Sequence, residues 1–264
     1  MADVKQLFDA GNLTGAIEAL TQEVKANPAD PARRTFLFEL LSFAGHYDRA
    51  VKQLDVISHQ DTQSEWATQV YQNIVQAEGL RARLYADGLK PEFLLDPPAY
   101  VHLHLEAINR LRENKPAEAQ ALLAQSEETR PTISGSAGDQ KFDEFRDCDD
   151  VLAPFLELIL LREYVWLPIE QVRELEIAKP ERPRDLLWAP VRVVLSDGSQ
   201  RRGYMPTRYP HSTAQADDQI RLGRVTDWLA AEEGPVQGLG QRQFLAGEEA
   251  WAMLELPLIT LDGP

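Results

Sequence analysis

The sequence predicts an α+β protein, with helical repeats over residues 1–132 and a small, mainly antiparallel α+β domain over residues 139–264. Three observations predict it. Gly11-Asn12-Leu13-Thr14-Gly15-Ala16-Ile17 and Gly45-His46-Tyr47-Asp48-Arg49-Ala50-Val51 share a Gly-x-x-x-x-Ala-aliphatic pattern 34 residues apart, the period of a helix-turn-helix repeat. Turn formers then crowd between Thr129 and Gln140. Beyond them helical spacing gives way to short β-prone runs.

In the repeats, Leu20 and Leu54 match at the same offset, and Asn27-Pro28 closes the first unit. These residues resemble the tetratricopeptide repeat, so the first domain is tetratricopeptide-like. The glycine caps the first helix in a left-handed conformation. The small alanine lets the second helix pack closely, and the proline stops it. A third copy falls at Asn114-Lys115-Pro116-Ala117-Glu118-Ala119, with Leu123 in the leucine place and Pro131 as the stop. Between them, Trp66 to Leu84 keeps helical spacing without the signature and reads as a degenerate repeat.

Stacked helix pairs form a curved groove suited to an extended peptide or an amphipathic helix. The repeat frame lines it with Thr35, Glu39, His104 and Ile108, and with Lys5 from the first unit. On this reading Glu39→Lys weakens partner binding in a salt-dependent way.

Thr129 to Gln140 reads as a linker. One helix is expected from Asp149 to about Arg162, with Leu152, Phe155, Leu156, Ile159 and Leu160 as its apolar face. Strands are expected at Glu163–Leu167, Val172–Ile177, Leu186–Leu195, Gln200–Met205, Gln219–Trp228, Arg242–Leu245 and Ala250–Leu256. Asp197-Gly198 marks a hairpin between two of them, because both residues tolerate positive φ. Four of the five tryptophans, Trp166, Trp188, Trp228 and Trp251, fall in this half, mostly as core.

The 27 basic and 42 acidic residues give a net charge of −15, which disfavours nucleic acid and anionic membranes and favours a basic partner. No run is long and apolar enough to span a membrane, and the N-terminus lacks the pattern of a signal sequence. The single Cys148 fits a reducing compartment. A cytoplasmic protein is expected.

Two groups of ligand-type residues arise. His102, His104 and Glu106 would share one face of a strand, but the surrounding apolar spacing favours a helix that turns His104 away from the other two. Asp139, Asp143, Glu144, Asp147, Asp149 and Asp150 lack the spacing and central glycine of a calcium loop. They read better as a solvated face with a helix cap, or as an anchor for Arg184 or Arg192. A metal-dependent hydrolase built on either group is the rival reading; the preferred one has no catalytic residues, no metal and no cofactor. The glycine-rich stretches 134–138 and 234–240 match neither a nucleophile elbow nor a phosphate loop.

Motif order in the second half points further. The chain carries Asp147-Cys148-Asp149-Asp150 with Pro154 and Glu157, then Tyr164-Val165-Trp166-Leu167-Pro168 and Pro183-Arg184-Asp185-Leu186-Leu187-Trp188-Ala189-Pro190. Tyr204-Met205-Pro206, Tyr209-Pro210, Leu222-Gly223-Arg224-Val225-Thr226-Asp227-Trp228 and Gly238-Leu239-Gly240-Gln241-Arg242 follow. Behind tetratricopeptide-like repeats, this order resembles the ImpE family, also called the TagJ or SciE type. The resemblance implies a non-catalytic accessory protein of the type VI secretion system in the cytoplasm of a Gram-negative bacterium. It implies binding to the N-terminal helix of the small contractile-sheath subunit TssB, and through it a link to the ATPase ClpV.

Overall fold

The structure, a computed structural model, describes residues 2–60 and 65–263. Its N-terminal part pairs α1 (Ala2–Asp9) with α2 (Leu13–Ala26), α3 (Pro31–Phe43) with α4 (Tyr47–Gln60), and α6 (Val101–Arg112) with α7 (Pro116–Glu127). Gly11, Gly45 and Asn114 take φ of 81°, 73° and 57° at the three turns, so each first helix ends on the left-handed residue its sequence offers. Asparagine tolerates that region better than most side chains. Asp30 caps α3 by accepting from the Ala32 and Arg33 amides, with Pro31 in the first turn. Ala16, Ala50 and Ala119 are wholly buried between paired helices.

The degenerate repeat is a different object. Residues Glu65–Asp87 form one 23-residue helix, α5. Gly79 is the one glycine there and no proline follows it, so the helix continues through it at a cost of about 1 kcal/mol relative to alanine. The chain then crosses to α6 along the sheet, where the Glu92 amide donates to the Tyr164 carbonyl (2.9 Å) and the Trp166 amide to the Glu92 carbonyl (3.0 Å).

The C-terminal part contains β1 (Gly135–Ala137), β2 (Gln140–Phe142), β3 (Phe145–Asp147), β4 (Phe155–Leu160) and β5 (Glu163–Pro168). It continues with β6 (Val172–Ile177), β7 (Trp188–Leu195), β8 (Gln200–Pro206), α8 (Asp218–Arg221) and β9 (Thr226–Ala230). The last strands are β10 (Val236–Gly240), β11 (Gln243–Ala246), β12 (Glu249–Ala252) and β13 (Ile259–Leu261). An eight-stranded sheet runs β2-β1-β13-β6-β7-β8-β4-β5, beside a three-stranded sheet β12-β11-β3 and a ribbon β10-β9. Every pairing between named strands is antiparallel. The Asp197-Gly198 turn joins β7 to β8, with Gly198 at φ 81°.

Three expectations are corrected. The helix placed over Asp149–Arg162 is a turn followed by β4: an unbroken apolar run reads as buried helix or buried strand by periodicity alone, and Pro154, which has no N–H to give and clashes with the preceding turn, would break the interior of such a helix. Gln219–Trp228 is not one strand, because Asp217 caps the short helix α8 by accepting from the Gln219 amide before β9 begins. The turn-rich stretch from Thr129 to Gln140 contains β1, and Gly135 lies so close to Thr260 that a Cβ would stand 2.1 Å from its carbonyl oxygen. That glycine permits strand pairing.

The alternation of β4 and β5 explains the packing. Phe155, Ile159, Tyr164 and Trp166 join the helices in one core. Leu156, Leu158, Val165 and Leu167 face a second core on the other side of the sheet, as a period of two requires. The helical and sheet parts therefore share a hydrophobic core. No helix among the described residues is long and apolar enough to cross a membrane.

Candidate functional site

The inner face of the repeats is occupied by the chain's own sheet domain. Trp188 stacks on Phe38 at 6.2 Å and donates from Nε1 to Glu78 Oε1 (2.8 Å). Arg184 donates from Nη1 to Glu39 Oε1 (3.0 Å) and lies 4.9 Å from the centre of the Tyr71 ring. His104 lies beside Phe155 at 5.0 Å and bridges the Val151 carbonyl (2.8 Å) and Ser126 Oγ (2.7 Å). Burial pushes His104 down to about 4, so the ring is neutral, donating from Nδ1 to the carbonyl and accepting at Nε2.

These contacts correct the expected groove. Glu39, His104 and Ile108 are all buried, at 4%, 0% and 2% exposure, and present no surface to an outside helix. Lys5 is exposed on α1 and Thr35 is half-buried on α3, its hydroxyl donating to the Pro31 carbonyl (2.9 Å). Glu39→Lys is accordingly a change to an internal contact.

Burial outweighs Arg184 and raises Glu39 to about 7. Over pH 4.5 to 7 the folded protein holds a proton at Glu39 that the unfolded chain has lost, so this group's contribution to stability decreases as pH rises. Denaturation of Glu39→Gln across this range should show a flatter pH dependence than the parent; parallel curves would remove Glu39 as a source of the slope.

Behind this contact lies a buried ionic network. Arg81 holds Glu157 through two bonds of 2.8 Å and donates to the Arg208 carbonyl (2.8 Å). Arg242 donates to Glu157 Oε2 and to Asp147 Oδ2 (3.1 Å). Tyr164 donates its hydroxyl to Glu157 and accepts from Trp166 Nε1 (2.6 Å), while Tyr209 donates to Asp147 Oδ1 (2.8 Å). Glu157, Asp147 and Arg242 are wholly buried. Such charges persist only with partners and hydrogen bonds.

The acidic run 139–150 dissolves into separate structural roles. Asp147 serves Arg242, not Arg184 or Arg192, and burial raises its pKa. Asp149 accepts from the Val151 (2.9 Å), Leu152 (3.1 Å) and Gly238 (2.8 Å) amides; Asp150 accepts from the Val236 amide (2.7 Å) and Glu144 pairs with Arg130 (2.6 Å). Arg192 pairs with Glu174 and Glu176. Cys148 is pushed up to about 12 by burial and then by Asp147, away from a reactive thiolate. Glu106 pairs with Arg110 while His104 points inward, so the helix separates the His-x-His-x-Glu residues. Among the described residues, no group of three His, Cys, Asp or Glu stands close enough to hold a metal ion.

A different groove is open. It has a volume of about 690 Å³ between α5 and the strands β6 to β8, with Trp66, Val70, Leu161, Pro190, Val191 and Tyr204 along it. Trp66 is 79% exposed and Leu161 85%. Leu161 also takes φ 57° in the turn between β4 and β5, a conformation that costs a leucine roughly 1–2 kcal/mol. Sequence reasoning missed this groove, although leucine in a two-residue turn is itself an anomaly.

Fold and contacts thus define a helical-repeat scaffold whose inner face is filled by its own antiparallel domain. The chain belongs to the ImpE family. Residues 139–260 match the ImpE protein family, and residues 7–70 match a tetratricopeptide repeat family. The chain is 35% identical over 249 residues to the type VI secretion system accessory component TagJ of Pseudomonas aeruginosa, covering 93% of this chain and 87% of that protein. The crystal structure of protein VPA1032 from Vibrio parahaemolyticus superposes with a TM-score of 0.92 at 26% identity, covering 99% of this chain and 98% of that one.

Proposed function

We propose that the protein is a non-catalytic accessory component of a bacterial type VI secretion system, acting in the cytoplasm of a Gram-negative cell. It holds the N-terminal helix of the small sheath subunit TssB and is linked through it to sheath turnover by ClpV. The relationship to TagJ over nearly the whole chain carries the reading. The open Trp66–Leu161 groove supports its helix-binding step, because an exposed apolar channel takes the apolar stripe of an amphipathic helix. Lys5 and Thr35 remain accessible for further contacts along α1 and α3. The division into a helical part, residues 1–132, and a sheet part, residues 139–264, belongs to the same reading; helices that end at Glu127 support the first, while β1 (Gly135–Ala137) extends the second ahead of residue 139. No feature among the described residues favours the metal-dependent hydrolase.

Calorimetric titration with a peptide of roughly the first 25 residues of TssB, long enough for several helical turns, tests the proposal. Micromolar or tighter binding is expected, weakened at least about tenfold by Trp66→Ala and by Leu161→Gly. Leu161→Gly should not lower stability, since glycine accepts the left-handed conformation. Absence of peptide binding would overturn the TssB assignment; binding unchanged in both variants would move the site off this groove.

A further inference from the structure

Val225, Trp228 and Leu229 are 42%, 37% and 47% exposed, and all lie on or beside β9. That strand pairs with β10 and with no second strand among the described residues.

The direction of its free backbone groups follows from β10. The amides of Val236, Gly238 and Gly240 turn away from β9 and donate to Asp150 Oδ2 (2.7 Å), Asp149 Oδ2 (2.8 Å) and Ser212 Oγ (2.9 Å). Their partners in register are Ala230, Trp228 and Thr226. Opposed residues in an antiparallel ladder alternate between bonded and unbonded pairs, and these three pairs are the unbonded ones. Thr226, Trp228 and Ala230 therefore direct their N–H and C=O groups outward. The Trp228 amide meets only its neighbour's carboxylate, Asp227 Oδ1, at 2.8 Å. Such an edge accepts an added strand unless something blunts it.

Charge selects what is added. Residues 225–241 include Asp227, Glu232 and Glu233 and contain no lysine or arginine. Two copies of so acidic a ribbon would repel each other, whereas a basic segment would be drawn in.

We propose that β9 is a docking edge for an extended segment of a partner protein, one that alternates apolar and basic side chains and adds to the ribbon as a strand. Backbone bonds to Trp228 and Ala230 supply the pairing, the exposed apolar side chains supply contact area, and the acidic groups choose the sign. This site is separate from the Trp66–Leu161 groove and stands independently of the TssB reading.

The test titrates the full-length protein with a short synthetic peptide of alternating valine and lysine, and with its valine–glutamate counterpart, while amide exchange is followed. The lysine peptide is expected to bind, to slow exchange at Trp228 and Ala230, and to weaken at high salt. Ala230→Pro removes an outward N–H and leaves the β9–β10 bonds in place; it should keep the melting temperature and lose at least about tenfold in affinity. Asp227→Lys, a surface change, should weaken the lysine peptide and favour the glutamate one. The proposal is overturned if neither peptide binds, if both bind equally, or if Ala230→Pro folds and binds like the parent. It is also overturned if β9 proves to pair with a second copy, seen as a dimer that Ala230→Pro converts to monomer.

Discussion

Glu157→Ala should lower unfolding free energy by about 3–5 kcal/mol, the usual result of removing one partner from a buried charge cluster. Arg81 would lose its two-point carboxylate and keep only the Glu78 carboxylate, at 3.5 Å, and Arg242 would keep Asp147 alone, with both guanidinium groups buried. Tyr164 would lose the acceptor of its hydroxyl, leaving the donor chain from Trp166 without an end. Urea denaturation measures the change through the midpoint at constant slope. Glu157→Gln keeps an acceptor and should cost less. A loss below about 1 kcal/mol for alanine would mean that Asp147 and Glu78 compensate the guanidinium groups by themselves.

Trp188→Ala is expected to cost about 3–5 kcal/mol through the cavity left in a packed core. The indole spans the two parts of the molecule, resting on Phe38 of α3 and donating to Glu78 of α5 from the first residue of β7. Trp188→Phe preserves a ring against Phe38 and abandons Glu78, so its cost of about 1–3 kcal/mol combines the lost hydrogen bond to a buried carboxylate with the space left by the smaller ring. Because the core is common to both parts, helical and aromatic probes should report one coincident transition in the parent protein. Two separated transitions in the parent would contradict the shared core as the source of cooperativity.

Much of the fold was legible where local chemistry decides it. Gly11, Gly45 and Asn114 stand at left-handed turns, and Ala16, Ala50 and Ala119 are at helix contacts, because turn conformation and close packing restrict which residues fit. Asp197-Gly198 made its hairpin for the same reason. The Asp149–Arg162 segment was misread because a strand buried on both faces has no polar side to show its period. The expected groove residues were misplaced for a tertiary reason: Glu39 and His104 do occupy the inner face of the repeats, but that face is covered by Arg184 and Phe155. The family motifs were informative in an unexpected way. Of the motif residues, Glu157, Arg184 and Trp188 reach Arg81, Glu39 and Glu78 of the helical part, while Asp147, Tyr209 and Arg242 bond to one another and to Glu157 within the sheet domain.

The repeat period, the helix caps, the hairpin, the acidic balance and the family are all readable along the chain, because each depends on neighbours in sequence or on composition. Which surfaces remain open is a matter of long-range contacts. Occlusion of the repeat groove, the pairing of Arg81 with Glu157, the outward Leu161 and the free edge of β9 each depend on segments far apart in sequence meeting or failing to meet, and no local pattern encodes that encounter.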